Sequence, residues 1–378
     1  MRPAILFFLT ASLVLPCDWD YPIWSIRDRS ADPLYRFVRG DKAGYIDNTG
    51  KMVIPPSFTV SGNYGGEFHD GRMVSDGKYI GRPGQRVVDE EVRGADFSDG
   101  LAAAIRKGEA SWGFIDTSGK FAIAPRFPSP PKGELHSFQG GYAAVRLGDE
   151  VGYVDRTGEF VVQPRFLDGE GFHDGLARVV IEGPCVLFRE GPCPSWSAVP
   201  ESARGKRALP LCKFTYTDAA GRVITEQRFD GARDFSEGLA PVRVGKLWGY
   251  IDKSGKSIIL PRFDDAQPFS EGLARVREHD RWGYVDKSGV YVVRPAFEYA
   301  EEFHEGLAVV GNQTDGEDEY WYIGKNGEQA LRLHFGAAGS FFHGLAHVRL
   351  LADEDDLDER ATFAYIDTGG RVVFSYTP

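Results

Sequence analysis

The chain has 378 residues, 46 of them glycine and 13% aromatic, with a formal net charge of −11. That acidic balance argues against general nucleic-acid binding, which draws on basic surface. The aromatic and glycine content suits a turn-rich all-β chain.

Residues 1–16 read as an export signal. Arg2 supplies the positive end, and Ala4–Leu15 is a 12-residue run without charge, short for a transmembrane helix and of the right size for a secretory segment. No other stretch reads as a membrane span. Cys17 follows at once and is a candidate lipid anchor, although Leu15-Pro16 lacks the small residues that lipidation signals carry. Residues 17–34 form a lead-in.

From residue 35 onward one phrase returns. "WGYIDKSG" at Trp248–Gly255 recurs as "WGYVDKSG" at Trp282–Gly289, "WGFIDTSG" at Trp112–Gly119 and "VGYVDRTG" at Val151–Gly158. Looser copies end at Gly50, Gly84, Gly221, Gly327 and Gly370, for nine copies about 34 residues apart. Such self-similarity decides the architecture before any other argument. Residues 35–180 hold repeats one to four, 181–212 a Cys- and Pro-containing insertion, and 213–378 repeats five to nine.

The clearest copy, Phe269–Phe297, predicts three strands: Ala274–Glu278 with period-2 alternation, Arg281–Asp286 with aromatic and β-branched residues, and Val290–Arg294. Asp286 and Gly289 predict the turn between the last two. Pro295 is expected to stop the ladder, because it has no N–H. Phe pairs six residues apart (Phe166/Phe172, Phe229/Phe235, Phe263/Phe269, Phe297/Phe303, Phe335/Phe341) read as plugs between copies, since one small meander cannot bury enough apolar area alone. The Gly after Trp (Gly113, Gly249, Gly283) marks a close approach, expected from an aromatic ring of the adjoining copy.

These residues resemble the bacterial WG-repeat (KWG-repeat) family. Three boxes carry the resemblance, in fixed order over roughly residues 35–375: W-G-[YF]-[IV]-D-x-[ST]-G; F-x-[ED]-G-L-A, at Phe97–Ala102, Phe172–Ala177, Phe235–Ala240, Phe269–Ala274 and Phe303–Ala308; and P-R-F, at Pro125–Phe127, Pro164–Phe166 and Pro261–Phe263. Gly81 and Gly324 replace the Asp, and Thr215 and Trp321 replace the Gly, so those copies are expected to be distorted. The resemblance implies an extracytoplasmic β-repeat protein and carries over no catalytic residue.

The recurring Asp47, Asp116, Asp155, Asp218, Asp252, Asp286 and Asp367 read as turn caps, because a group needed once in a pocket does not recur in every copy. Arg106, Arg146, Arg243, Arg277 and Arg349 share a strand position. They read as a ladder of ion pairs with Asp99, Asp174, Glu237, Glu271 and Glu305, or alternatively as an anion-binding stripe for acidic glycans or a carboxylate-bearing partner. His69, His173 and His304, with His343 nearby, read as scaffold positions rather than metal ligands. Cys185 and Cys193 are the candidate disulfide in an oxidising compartment; the rival is a thiolate metal site that includes Cys212. The acidic runs Asp315–Glu319 and Asp353–Glu359 lack EF-hand spacing and read as solvated loops.

The expected fold is an all-β tandem array of three-stranded meanders stacked as an open solenoid or superhelix, with a β-propeller as the alternative. The expected function is a non-enzymatic extracytoplasmic scaffold, periplasmic, surface-bound or secreted, for a protein or polysaccharide partner at the cell envelope. It needs no cofactor. A hydrolase or hydrolase accessory with acidic groups in the variable loops, and a structural envelope protein without a dedicated ligand, are the alternatives.

Overall fold

The computed structural model describes residues 32–59, 68–75, 78–82, 84–87, 92–128, 137–182, 212–314, 317–351 and 361–378. The export segment, Cys17, Cys185 and Cys193 lie outside the described residues. Among the described residues there is no helix, and the strands fall into nine modules.

The first module holds β1 (Tyr35–Arg39), β2 (Lys42–Ile46) and β3 (Met52–Thr59); the second, β4 (Met73–Ser75) and β5 (Lys78–Ile80). The third is β6 (Val92–Gly94), β7 (Leu101–Arg106), β8 (Ser111–Asp116) and β9 (Phe121–Pro128); the fourth, β10 (Ala143–Leu147), β11 (Glu150–Val154) and β12 (Phe160–Phe166). The fifth is β13 (Asp168–His173), β14 (Leu176–Glu182) and β15 (Lys213–Asp218). The sixth is β16 (Gly231–Ala232), β17 (Leu239–Val244), β18 (Leu247–Asp252) and β19 (Ser257–Phe263); the seventh, β20 (Asp265–Ala266), β21 (Leu273–Glu278), β22 (Arg281–Asp286) and β23 (Tyr291–Phe297). The eighth is β24 (Tyr299–Ala300), β25 (Leu307–Thr314) and β26 (Glu317–Gly324), and the ninth β27 (Phe335–Ala338), β28 (Leu345–Leu350), β29 (Phe363–Asp367) and β30 (Val372–Tyr376).

A complete module is therefore an antiparallel sheet of four strands, not three: leading, second, third and closing, paired in that order. The added leading strand is short. In the sixth module it ends in a hairpin where Ser236 bridges Leu239, and Glu237 and Gly238 have φ of 52° and 88°. Two consecutive positive φ values define the type I′ turn, which matches the right-handed twist of its strands. The F-x-[ED]-G-L box is this hairpin.

The Gly after Trp is crowded by its own module, not by a ring of the next one. A Cβ on Gly249 would lie 2.4 Å from the Ile259 carbonyl oxygen and 2.7 Å from the Pro261 nitrogen. Gly283 meets Val293 and Pro295 in the same way. At this point the ladder is bulged: Trp282 pairs with Phe297 and Tyr284 with Val293. Pro295 does not stop the strand. It sits in the bulge, where no N–H is needed. In the fifth and eighth modules Thr215 and Trp321 occupy the slot, and the closing strand is reduced to isolated bridges and, in the eighth, the Tyr320–Phe335 pair. The distortion expected of these copies takes that form. The ninth module carries Ala364 in the slot and keeps β30, because Ala364 there pairs directly with Ser375 without the bulge.

Between modules the core is aromatic. Each Phe pair six residues apart is buried. The third-strand Tyr meets the box Phe of the following module at a steep angle: Tyr250–Phe269 at 5.0 Å, Tyr284–Phe303 at 4.8 Å, Tyr322–Phe341 at 4.8 Å between ring centres. Its hydroxyl donates to a carbonyl just past the next leading strand, as Tyr250 does to Gln267 at 2.7 Å and Tyr284 to Glu301 at 2.8 Å. Full burial of one such ring stabilises by about 1.5–3 kcal/mol, so each module depends on its neighbour.

The two end modules also touch. Tyr365 of the ninth meets Tyr35 of the first edge-on at 5.5 Å, and its hydroxyl donates to the Arg36 carbonyl. Tyr35 donates to the His343 carbonyl at 3.0 Å. Tyr35, Phe37, Ile46, Leu345, Phe363, Tyr365 and Tyr376 form one buried cluster. The sequence-based expectation of an open stack leaves these ends apart; the structure brings them together.

Candidate functional site

Antiparallel order puts the leading–second and third–closing turns on one edge of every sheet. The second–third links and the links between modules lie on the opposite edge. The two edges differ in kind.

The first edge repeats the same bonds. Asp286 Oδ1 accepts from Ser288 N at 2.9 Å, Ser288 Oγ at 2.6 Å and Val290 N at 3.0 Å. Asp47, Asp116, Asp155 and Asp252 accept the equivalent three bonds; Asp218 and Asp367 keep the two backbone ones. The Ser288 hydroxyl first, then the backbone N–H groups, hold the Asp286 carboxyl below its ordinary value. The Asp series therefore caps turns.

The box carboxylates tie one module to the next. Glu271 accepts from Gly306 N at 2.9 Å and pairs with Lys325 at 3.1 Å. Glu237 does so with Gly272 N and Lys287, and Asp174 with Gly238 N and Lys253. Their partners are thus a glycine amide and a turn lysine, not the arginines assigned to them from sequence.

Those arginines lie elsewhere. Arg243 Nη2 donates to the Asp230 carbonyl at 2.7 Å and Arg349 Nη2 to the Gly336 carbonyl at 2.8 Å. Arg146 pairs with Asp168 at 2.9 Å, and Arg277 lies over the Trp282 ring at 5.7 Å. Arg106 falls one residue out of line, because Ile105, not Arg106, pairs with Trp112. It lies over Phe121 at 4.6 Å. The tail arginines Arg126, Arg165 and Arg262 donate to the turn carbonyls of Gly158, Gly221 and Gly289 in the following module. His69 and His173 face Asp96 and Asp234 at 3.8 and 3.3 Å, and His304 stacks on Phe342 at 4.5 Å.

A polar sector not anticipated from sequence runs along the leading strands of modules five to eight. Arg178 faces Asp234 at 3.7 Å, Arg233 pairs with Asp265 at 3.1 Å, and Arg275 with Glu302 at 3.2 Å. Each of these arginines also donates to the last carbonyl of the next leading strand, at Ala232, Ala266 or Ala300. Burial pushes the Glu301 carboxyl up against the pull of Arg275. Glu302 is half-buried, and Arg275 holds it down against that burial. The signal was available: Arg178 and Arg275 sit where other modules carry Ala103, Ala144, Pro241 or Val309, so they depart from the repeat.

The second edge is irregular. Its second–third links are two residues long at Gly245-Lys246 and His279-Asp280, but residues 183–212 separate β14 from β15. The insertion thus interrupts the fifth module rather than dividing the fourth from the fifth. Residues 315–316 and 351–362 leave from the same position in modules eight and nine. The second acidic run lies in the latter, but Glu317–Glu319 of the first are not a loop: they extend β26 and pair with β25. Residues 60–67 and 129–136 follow β3 and β9, on this edge again. Cys212 is disulfide-bonded, and its partner lies outside the described residues. Among the described residues no group of side chains could hold a metal ion.

A family model described as "WG containing repeat" matches residues 44–67, 112–150, 152–183, 214–248, 248–282 and 282–312, more than half of the chain. The chain belongs to the WG-repeat family. The WG-repeat model passes over residues 68–111, with the second module, and residues 313–378, with the ninth. No curated protein sequence matches. Among solved structures, a eukaryotic initiation factor superposes with a TM-score of 0.60 at 9% identity, covering 92% of this chain and 96% of that one. This WG-repeat chain therefore shares an overall fold with it and nothing more. Apo AztD from Citrobacter koseri matches at TM-score 0.43 and 14% identity over 91% of this chain and 94% of that one. Hsv2p from Kluyveromyces lactis matches at 0.37 and 11% over 67% and 92%.

Proposed function

We propose that this WG-repeat protein is a non-enzymatic extracytoplasmic scaffold, closed as a propeller-like ring, that takes a protein or polysaccharide partner on its irregular edge. One observation carries the reading: every long insertion leaves from the same edge, while on the opposite edge seven modules repeat the same Asp-capped turn. Shared positions build a repeat array, and positions that depart from the pattern are free to recognise. The contact of first and last modules and the four-stranded sheets support a ring over an open stack. The leading run of residues 1–16 supports export.

The test is a pull-down from envelope extract together with a glycan array. The intact chain retains a partner. A variant with residues 130–135 and 353–359 shortened to two-residue turns loses it, and changes at Lys253 and Lys287, on the regular edge, do not matter. Blank results from both assays, or binding indifferent to the loops, contradict the proposal and favour a structural envelope role.

The hydrolase reading has one observation in its favour, the displacement of Glu301 and Glu302 in opposite directions. Paired carboxyls of this kind divide acid and base roles in glycosidases. Here both answer to Arg275, and Tyr299 donates to Glu301. Hydrolysis of a polysaccharide panel that disappears in E301Q would establish that reading instead.

A further inference from the structure

The seam between the ninth and first modules contains a fully buried histidine, unlike the partly exposed His304 between the eighth and ninth. His347, on β28, is 1% exposed. Its ring lies nearly parallel to Tyr376, 5.9 Å away, and packs on Phe363 and Tyr365 at 5.5 and 4.9 Å. Nε2 is 2.9 Å from the Tyr376 hydroxyl, and Nδ1 has no hydrogen-bond partner among the described residues. Tyr376 packs in turn on Phe37 of the first module at 5.9 Å. The charged and titratable groups facing His347 are Arg36 from β1, itself 4% exposed, Tyr365 from β29 and Tyr376 from β30.

We propose that His347 is an acid-sensitive latch: protonating it opens the seam between the first and last modules while the rest of the array stays folded. An imidazolium here would be a second buried cation beside Arg36, with one N–H unanswered. Both consequences are costly where water is excluded. The equivalent position in the other modules is Val74, Ala103, Ala144, Pro241, Val309, or an arginine (Arg36, Arg178, Arg275), so His347 is the one histidine at this position among the described residues.

Burial, with Arg36 adding to it, pushes the imidazole down to about 3 in the closed seam. Once opened, His347 returns to its ordinary value of about 6.5. The sign follows from linkage. The folded value is depressed, so closure is at full strength above about pH 6.5 and weakens roughly tenfold per pH unit on acidification until about pH 3. Between pH 7.5 and 4.5 the opening equilibrium should rise about 100-fold.

The inference rests on the ring reading, and the experiment separates the two. Amide hydrogen exchange is followed in peptides covering β1–β2 and β28–β30, with modules six and seven as the internal reference. At pH 7.5 the seam peptides are protected like the reference; absence of protection there overturns the ring itself. On going to pH 4.5 the native seam loses about 100-fold of protection relative to the reference, and H347Q loses little. R36M, which removes the neighbouring cation, shows a shallower loss. A native seam without this loss, or an equal loss in H347Q and R36M, overturns the latch while leaving the ring standing.

Discussion

The hydroxyl of Tyr365 donates to the backbone carbonyl of Arg36 across 329 positions of sequence. Elsewhere the corresponding hydroxyl reaches the following module across 17 positions, as Tyr250 does to Gln267. The last module therefore treats the first as its successor. In Tyr365→Phe the Arg36 carbonyl stays buried and loses its donor, at a cost of about 1–3 kcal/mol. Tyr250→Phe should cost a similar amount. Urea unfolding of the two variants checks this: equal losses mean the seam is an interface like the others, and a null effect for Tyr365→Phe means the seam does not form in solution.

Gly283→Ala places a methyl carbon 2.6 Å from the Val293 carbonyl oxygen and the Pro295 nitrogen. The backbone of β23 cannot yield as a side-chain tip could. We expect a loss of about 1–3 kcal/mol, with exchange protection lost in β23 before β21 and β22. Retained protection in β23 would remove steric exclusion at the bulge as the reason why the fifth and eighth modules, with Thr215 and Trp321 in this slot, lack a regular closing strand.

Asp286→Ala removes three bonds to one carboxylate oxygen. The group is near the surface, so screening limits the loss to about 1 kcal/mol. Because the native carboxyl titrates below its ordinary value, its contribution is complete above about pH 4 and disappears as pH falls through the depressed value. Native and variant midpoints should therefore differ at pH 6 and converge as the pH falls below the depressed native value. A difference that persists in acid would place the effect in packing rather than in the charge.

The parts of the fold readable from sequence are those written many times over. The turn role of Asp286, the pairing of Ala274–Glu278 with Arg281–Asp286, and the interior place of Phe263 and Phe269 all follow from residues that recur at one spacing. Three things did not follow. The leading strand is only two residues long in several modules, such as Asp265–Ala266, which is too short to show a period. The approach to Gly283 comes from a bulge at Pro295, a backbone event with no side-chain signature. The meeting of Tyr365 with Arg36 depends on the angle between modules, which local pattern does not encode. The polar sector around Arg178, Arg233 and Arg275 could have been found by asking which strand positions break the repeat.

The account stands on closure, and a distance between the ends tests closure most directly. Spin labels at Lys51 and Arg371, both exposed, flank a contact in which a Cβ on Gly50 would lie 2.6 Å from the Val373 carbonyl oxygen. Stacked sheets sit about 10 Å apart, so the ends of an open row of nine modules would be roughly 80 Å from one another. A single short separation of about 20 Å or less, independent of protein concentration and lost in urea together with the fold, is the predicted result. A distribution centred far beyond that distance in the folded protein would contradict the ring, the latch and the two-edged scaffold built on it.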